Sequence, residues 1–322
     1  MVLAADAEKN MGADTTNQHQ VYLNGEFLPR NEAKISVFDS AVMLGDTVTE
    51  STRTFAHKLF KLEQHIERLY RSLKVTRISP GISMPEMVEL SLRVLEQNSS
   101  LLAPHEDCWL VHNISRGLSI PGADPTIQHS PATIILFTSP LILRDWAPFY
   151  VEGCHAVTPM SRAIPSQSLD ARIKNRSRMA YTLAEIEVKL VDPKAQGIIL
   201  DIYGNVAENK GGNFFLFSEG VLKTPSTSAA LAGISRATVL ELAGLLGIPV
   251  RECDLQAYDI YTSEEAFFTS TPYCIMPATR FNGLPVGDGN VGPVTKQLLA
   301  AWSDLVGVDI VAQGLKQLNL SE

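Results

Sequence analysis

At 322 residues, 45% hydrophobic and 19% charged, the chain has the size and composition of a folded globular protein of two ordinary domains. Its formal net charge of −8 argues against a nucleic-acid partner. No run of about 18 apolar residues marks a membrane span, and no basic-then-apolar start marks a signal peptide. Cys108, Cys154, Cys253 and Cys274 are scattered without C-x-x-C spacing. That favours reduced thiols and a cytoplasmic location over a disulfide framework or a metal site.

Residues 1–18 are polar and aperiodic and read as a tail. From Val21, VYLNGEFLP carries Asn-Gly between apolar pairs, a hairpin signal. KISVFD reads as a further short strand and DTVTESTRTF as a third, rich in β-branched residues. Leu62, Ile66, Leu69 and Leu73 make one apolar helical stripe with Arg68 beside it, and Met87, Leu90 and Val94 mark a second helix. Strands over 108–115 and 132–138 complete an α+β domain spanning 19–143. A connection at 144–152 leads to a larger domain over 153–322. This second half has many short strands, among them GIILD, NFFLF, VLKTP, PVRECD and EAFFTS, and helices near 178–190, 235–246 and 293–305. That pattern predicts a mixed or barrel-like sheet.

The segment 168–217 holds the most chemistry. Lys174 lies among Arg172, Arg176 and Arg178, and by itself reads as one member of a solvated basic run. An amine there becomes a nucleophile only when buried or set near other cations. Glu208 follows a turn and precedes Gly-Gly-Asn and an apolar strand, where an unpaired charge is costly to bury; the alternative is an exposed turn glutamate. Ser235 precedes an apolar period and reads as a helix N-cap, and free N–H groups at a helix start bind phosphate. Thr269, Ser270 and Thr271 place three hydroxyls at a strand end.

Together these stretches resemble the fold-type IV pyridoxal-phosphate enzymes, over about Tyr22 to Trp302. The resemblance rests on YLNGEFLPRNEAKISVFDSAVMLGD, on H-x-x-R-L in FKLEQHIERLYRSL, on IKN, on VAENKGGNFFLF, on GISRATVLELA and on FFTSTPYCIMPATRFNGLPVGDGNVGPVTK. It implies an α+β fold of two domains, the larger a pseudo-barrel, with pyridoxal 5′-phosphate held between them. By that resemblance Lys174 carries the cofactor as an imine and Glu208 faces its ring nitrogen. Arg68, Ile234, Ser235 and Thr271 hold its phosphate. A homodimer and an exchange of an amino group between a small-molecule amino donor and a keto acid are implied as well.

Several positions depart from the subfamilies. Branched-chain enzymes carry an aromatic where this chain has Thr49, although Glu50 and Arg53 keep an E-x-x-R spacing. Pro272 follows the phosphate threonine and lacks the N–H that helps bind a substrate carboxylate there. The tyrosine expected five residues after the lysine is Met179. Arg116 in ISRG resembles the T-R-G arginine that receives a carboxylate in D-amino acid and (R)-amine enzymes, or is a surface arginine at a strand end. Trp109 lines a pocket or fills the core. The reading is a branched-chain-like transaminase with atypical specificity. The alternatives are an (R)-amine or D-amino acid transaminase, aminodeoxychorismate lyase, and a non-catalytic cofactor-binding protein.

Overall fold

The computed structural model describes residues 18–124 and 126–319, so the tail expected over 1–18 lies, but for its last residue, outside the described residues. The chain divides into two units. One runs to Leu141 and takes in Lys174–Ser177; the other holds Ile142–Ile173 and everything from Arg178 on.

In the first unit, β1 (Gln20–Leu23) and β2 (Glu26–Pro29) form the expected hairpin, with Asn24 and Gly25 at φ of 50° and 108° as a two-residue turn requires. Next come α1 (Ser40–Met43), β3 (Thr47–Phe55), β4 (Lys58–Leu59), α2 (Leu62–Thr76), α3 (Met84–Ser99), β5 (Cys108–Ser115) and β6 (Thr133–Pro140). The strands make one antiparallel sheet in the order β2-β1-β6-β5-β3-β4. Alternation along each strand sends Val48, Leu110, Ile114 and Leu136 to one face, where they meet Ile66, Leu69 and Leu73 of α2 and Met87 and Val94 of α3. Each such side chain contributes about 1.5–3 kcal/mol by leaving water.

KISVFD is not a strand. Ser36 Oγ accepts from the Phe38 N–H at 3.1 Å, and Asp39 Oδ1 accepts from the Ala41 N–H at 2.8 Å as N-cap of α1. These local bonds take backbone groups that a ladder would have used, and Val37 and Phe38 stay exposed.

The second unit contains α4 (Phe149–Glu152), β7 (Cys154–Val157), α5 (Met179–Val191), β8 (Gln196–Gly197), β9 (Ile199–Leu200), β10 (Val206–Glu208), β11 (Asn213–Ser218), β12 (Val221–Thr224), α6 (Ile234–Leu245), β13 (Val250–Glu252), α7 (Ala257–Tyr261), β14 (Glu265–Ser270), β15 (Cys274–Phe281), β16 (Leu284–Pro285), α8 (Pro293–Val306) and α9 (Ile310–Asn319). Its main sheet is mixed, in the order β13-β12-β11-β14-β15-β7-β8, with β16 on β15; β9 and β10 pair separately. GIILD thus divides between two sheets at Ile198. Central strands β11 and β14 are buried on both faces; across them Phe214 and Phe268 meet edge-on at 5.5 Å and Phe215 and Phe267 stack at 5.1 Å. Residues 144–152, expected as a connection, form turns and α4, and Tyr150 donates its hydroxyl to the Tyr273 carbonyl at 3.0 Å. Among the described residues no single helix is long and apolar enough to cross a membrane.

Glu265 on β14 anchors α8. Its carboxylate accepts from the Val294 N–H at 2.9 Å and from the Thr295 N–H and hydroxyl at 2.8 and 2.7 Å, satisfying donors that a helix start leaves open. Glu265→Ala should lower unfolding stability by about 2 kcal/mol or more, since bonds to a charged acceptor contribute roughly 1.5–3 kcal/mol. Urea denaturation of the two proteins checks this, and an unchanged midpoint would mean that the cap contributes nothing.

Candidate active site

Lys174 is held by its backbone. Strand β3 is paired with β5 from Thr47 to Arg53; on its other edge β4 pairs at Thr54 and Phe55 and the Phe60 N–H donates to the Arg53 carbonyl at 3.0 Å. Residues 174–176 take up the first part of that edge, from Thr47 to Thr49. The Thr49 N–H donates to the Lys174 carbonyl at 2.8 Å, the Arg176 N–H donates to the Thr47 carbonyl at 2.9 Å, and Asn175 bridges Val48. The Lys174 N–H donates to Ser72 Oγ at 3.1 Å. An edge of unpaired peptides is costly to leave dry, and the lysine's segment satisfies it.

Beside this tether lies a buried charge cluster. Helix α2 shows two stripes: the apolar one, and a polar one of His65, Arg68 and Ser72 that is also buried. Arg68 grips Glu50 with two parallel bonds, Nε to Oε2 at 2.8 Å and Nη2 to Oε1 at 2.6 Å, and His65 Nδ1 approaches Oε1 at 3.0 Å. Burial opposes a charge on Glu50, yet Arg68 and then His65 outweigh it and hold its carboxyl well below the usual range. An ionised carboxylate only accepts, so Nδ1 of His65 carries the proton in that bond. Burial pushes the His65 pKa down, against Glu50, and Arg68 and Lys174 push it further. His65 is therefore a neutral imidazole under the positive field of Lys174. Opposite Glu50 in the ladder sits His112. Ser91 Oγ donates to the Met87 carbonyl at 2.7 Å, so at 2.8 Å it accepts from His112 Nε2. His112 Nδ1 is buried with no partner among the described residues, and burial lowers this histidine's pKa to about 4.

In the second unit, Glu208 ends β10 and is buried. It is not an exposed turn residue. Tyr181 donates its hydroxyl to Oε1 at 2.6 Å, and the Leu231 N–H donates to Oε2 at 2.9 Å. Asn213, past the tight 209–212 turn, donates from Nδ2 to the Leu231 carbonyl at 2.8 Å. Two side chains of the VAENKGGN stretch thus hold both backbone polar groups of one residue, Leu231, in the loop that leads to α6. Gly233 follows that loop, and a Cβ there would lie 2.1 Å from Asn213 Oδ1, so only glycine permits the approach. Gly233 is also the N-cap of α6, with ψ of 138° and no side-chain cap. Ser235, expected as the cap, is instead the second helical residue. Ile234 and Ser235 place their N–H groups in a first turn left to a ligand or to water.

The remaining predicted residues are placed as follows. Thr269 Oγ1 donates to the Cys274 carbonyl at 2.6 Å and Ser270 Oγ to the Gly211 carbonyl, which leaves Thr271 at the head of the turn between β14 and β15. Pro272, in that turn, is buried. Thr49 directs its hydroxyl to the His112 carbonyl at 2.9 Å, a ladder contact and not one free for a ligand. Trp109 is half-buried, and its Nε1 has no partner among the described residues. Arg116 is committed internally. Nε and Nη2 donate to Asp46 at 2.6 and 3.4 Å, and Nη2 and Nη1 donate to the carbonyls of Thr76 and Arg77 at 2.9 and 3.1 Å. It closes the C-terminus of α2, whose last carbonyls and negative dipole end attract a cation. Of the three arginines near Lys174 in sequence, exposed Arg172 pairs with Asp170 and Arg178 lies over the Tyr181 ring at 4.1 Å. The cations that bear on His65 are Arg68 and Lys174. Sequence reading missed His65, Ser72 and Tyr181. The signals were there: spacing of 3 and 4 along α2, and along α5, where Tyr181, Ala184 and Val188 share a face.

The fold and the sequence together match those of one enzyme class. The Amino-transferase class IV family matches residues 47–281. A putative branched-chain-amino-acid aminotransferase of Methanocaldococcus jannaschii is 32% identical over 288 residues, 89% of this chain and 96% of its own. The branched-chain-amino-acid aminotransferase of Escherichia coli strain K12 is 30% identical over 297 residues, 90% and 94% of the two chains. Among solved structures, the T.th. branched-chain amino acid aminotransferase with pyridoxamine 5′-phosphate matches at a TM-score of 0.82 and 25% identity, covering 90% of this chain and 95% of that one. The chain belongs to the class IV aminotransferases. It has their fold-type IV architecture and is a transaminase.

The neutral, buried histidines set a pH limit on the fold. Free in the unfolded chain, an imidazole binds a proton near pH 6.5, whereas folded His112 binds one only near pH 4. Between those values the unfolded chain holds more protons, so stability falls as pH falls through this window. The loss should reach roughly 3 kcal/mol from His112, with His65 adding in the same direction. Denaturant midpoints measured from pH 7 to pH 4 check this, and His112→Gln should flatten the slope.

Proposed function

We propose that this protein moves an amino group from an amino acid to a 2-keto acid, as a branched-chain-like transaminase of atypical specificity with pyridoxal 5′-phosphate as cofactor. What supports the reading is the buried carboxylate of Glu208, oriented by Tyr181 and Leu231 in the segment that also orders the start of α6. The donor set suits the cofactor: a primary amine at Lys174, an arginine at position 68, uncapped N–H groups at Ile234 and Ser235, the Thr271 hydroxyl, and an anion at Glu208 for a protonated ring nitrogen. When bound, the cofactor supplies a ring that accepts the electron pair left at the donor's α-carbon. Lys174 Nζ tethers it and then carries the proton off that carbon as a general base. The three-point backbone tether keeps Nζ in register while the side chain moves.

Specificity follows from two residues. Arg116 is engaged by Asp46 and the end of α2, so it adds no support to a D-amino acid or (R)-amine preference. Pro272 withholds one backbone donor at the turn, which weakens the hold on a donor carboxylate relative to an N–H-bearing residue. The protein with added cofactor should show an absorbance band near the visible edge that L-leucine bleaches, and Lys174→Ala should lack it. A wild-type protein without the band would refute the enzyme reading. A stronger response to D-alanine or (R)-1-phenylethylamine, with pyruvate or 2-oxoglutarate as acceptor, would overturn the branched-chain assignment alone.

The working form is a homodimer. Leu44, Leu118, Ile120 and Ile127 are all about half exposed and line one small cavity of 30 Å³ with Arg116. Bonds from the Ser119 N–H to the Phe38 carbonyl and from the Ser40 N–H to the Gly117 carbonyl, both 2.8 Å, join the two loops into one surface. A joined apolar patch of this kind fits a second chain. Light scattering should give a dimer mass for the wild type and a monomer mass for Leu44→Glu/Ile120→Glu. A monomeric wild type would remove the proposal.

A further inference from the structure

We infer that Tyr181 is a positioning residue for Glu208, and that its hydroxyl sets how strongly that carboxylate acts on whatever base lies against it; the inference rests on the cofactor reading of Glu208. Helix α5 has two faces of opposite character. Met179, Leu183, Ile186 and Leu190 form an exposed stripe, while Tyr181, Ala184 and Val188 turn inward. Only the inward stripe carries a polar tip, and that tip lies 2.6 Å from Glu208 Oε1. The distance is that of a charge-assisted O–H···O⁻ bond.

The direction of donation is fixed. Burial, then the charge on Glu208 and the bond itself, raise the Tyr181 pKa, against a smaller opposing pull from Arg178. Tyr181 therefore keeps its proton and donates. Arg178 lies over the tyrosine ring at 4.1 Å and Tyr181 is partly buried, so the ring has little freedom to swing away.

The consequence for Glu208 is twofold. With Leu231 holding Oε2 and Tyr181 holding Oε1, rotation of the carboxylate about its last torsion would break both bonds. Each donor also draws charge from the oxygen it meets. A neutral phenol does this without forming an ion pair, and so without cancelling the negative charge. Removing the phenol hydroxyl frees the torsion and takes one donor from the carboxylate, both of which alter its grip on a ring nitrogen.

The test uses the holoenzyme in four forms: wild type, Tyr181→Phe, Glu208→Gln, and the double variant. Three quantities are read: the dissociation constant for pyridoxal 5′-phosphate, the pH midpoint of the bound cofactor's visible band, and kcat against KM. Tyr181→Phe should weaken cofactor binding and lower kcat, each by about tenfold, the equivalent of one hydrogen bond to a charged group. It should also move the band's pH midpoint and leave KM within about twofold. In the Glu208→Gln background the same change should have no further effect beyond about twofold, because the partner is already altered. Equal losses in both backgrounds, or a KM rise without a shift of the band, would show that Tyr181 acts by packing and overturn the inference alone. A wild type that takes up no cofactor would overturn the transaminase reading and this inference with it.

Discussion

Leu231 is the joint that ties the second unit's buried carboxylate to the start of α6. Its N–H is held by Glu208 and its carbonyl by Asn213, two residues on either side of one tight turn. The loop before α6 is therefore fixed to the same strands that carry the carboxylate. The helix start and the carboxylate cannot drift independently, because the atoms that orient one also orient the other. Gly233 completes the arrangement by leaving room for Asn213 to reach past it. Bonds to an ionised acceptor are worth more than neutral ones, so the Glu208 end of this clamp is the stronger.

The two units treat a buried carboxylate in opposite ways. Glu50 is matched by a full positive charge in a fork-to-fork geometry, with a neutral histidine alongside. Such a pair adds little net stability, since desolvating both partners offsets most of their attraction. What it provides is a fixed guanidinium on the same helix face as Ser72, which itself receives the Lys174 N–H. Glu208, by contrast, is oriented by a phenol and an amide. Breaking the first arrangement strands a buried charge; breaking the second frees a carboxylate torsion.

Much of the fold was legible in the sequence because it rests on local rules. Apolar periods of 3.6 gave α2 and α3, and continuous apolar runs gave β11 and β14, which are buried on both faces. Asn-Gly gave the first hairpin. Reading failed where a side chain answers to something distant. Ile35, Val37 and Phe38 have the composition of a strand, but Ser36 and Asp39 divert their backbone locally. Ser235 resembles a cap, yet the need to admit Asn213 puts the cap at Gly233. Arg116 resembles a carboxylate receptor, but the end of a helix 40 residues earlier claims it. Lys174 and Glu208 were singled out by their motifs, whereas Tyr181 and His65 emerge only when α5 and α2 are folded and their inward stripes have partners.

Residues 174–177 belong with the first unit although the chain on either side of them belongs with the second. The edge that receives them is made by β3, more than a hundred positions earlier in the chain. The backbone of residues 174–176 finds its partners at Thr47 and Thr49 only where β3 and its edge are in place. A chain lacking that edge offers the segment no such berth, and its peptide groups would have to find other partners. The seating of this four-residue segment is thus a long-range event, which reports on the assembly of a sheet whose strands lie far away in the sequence.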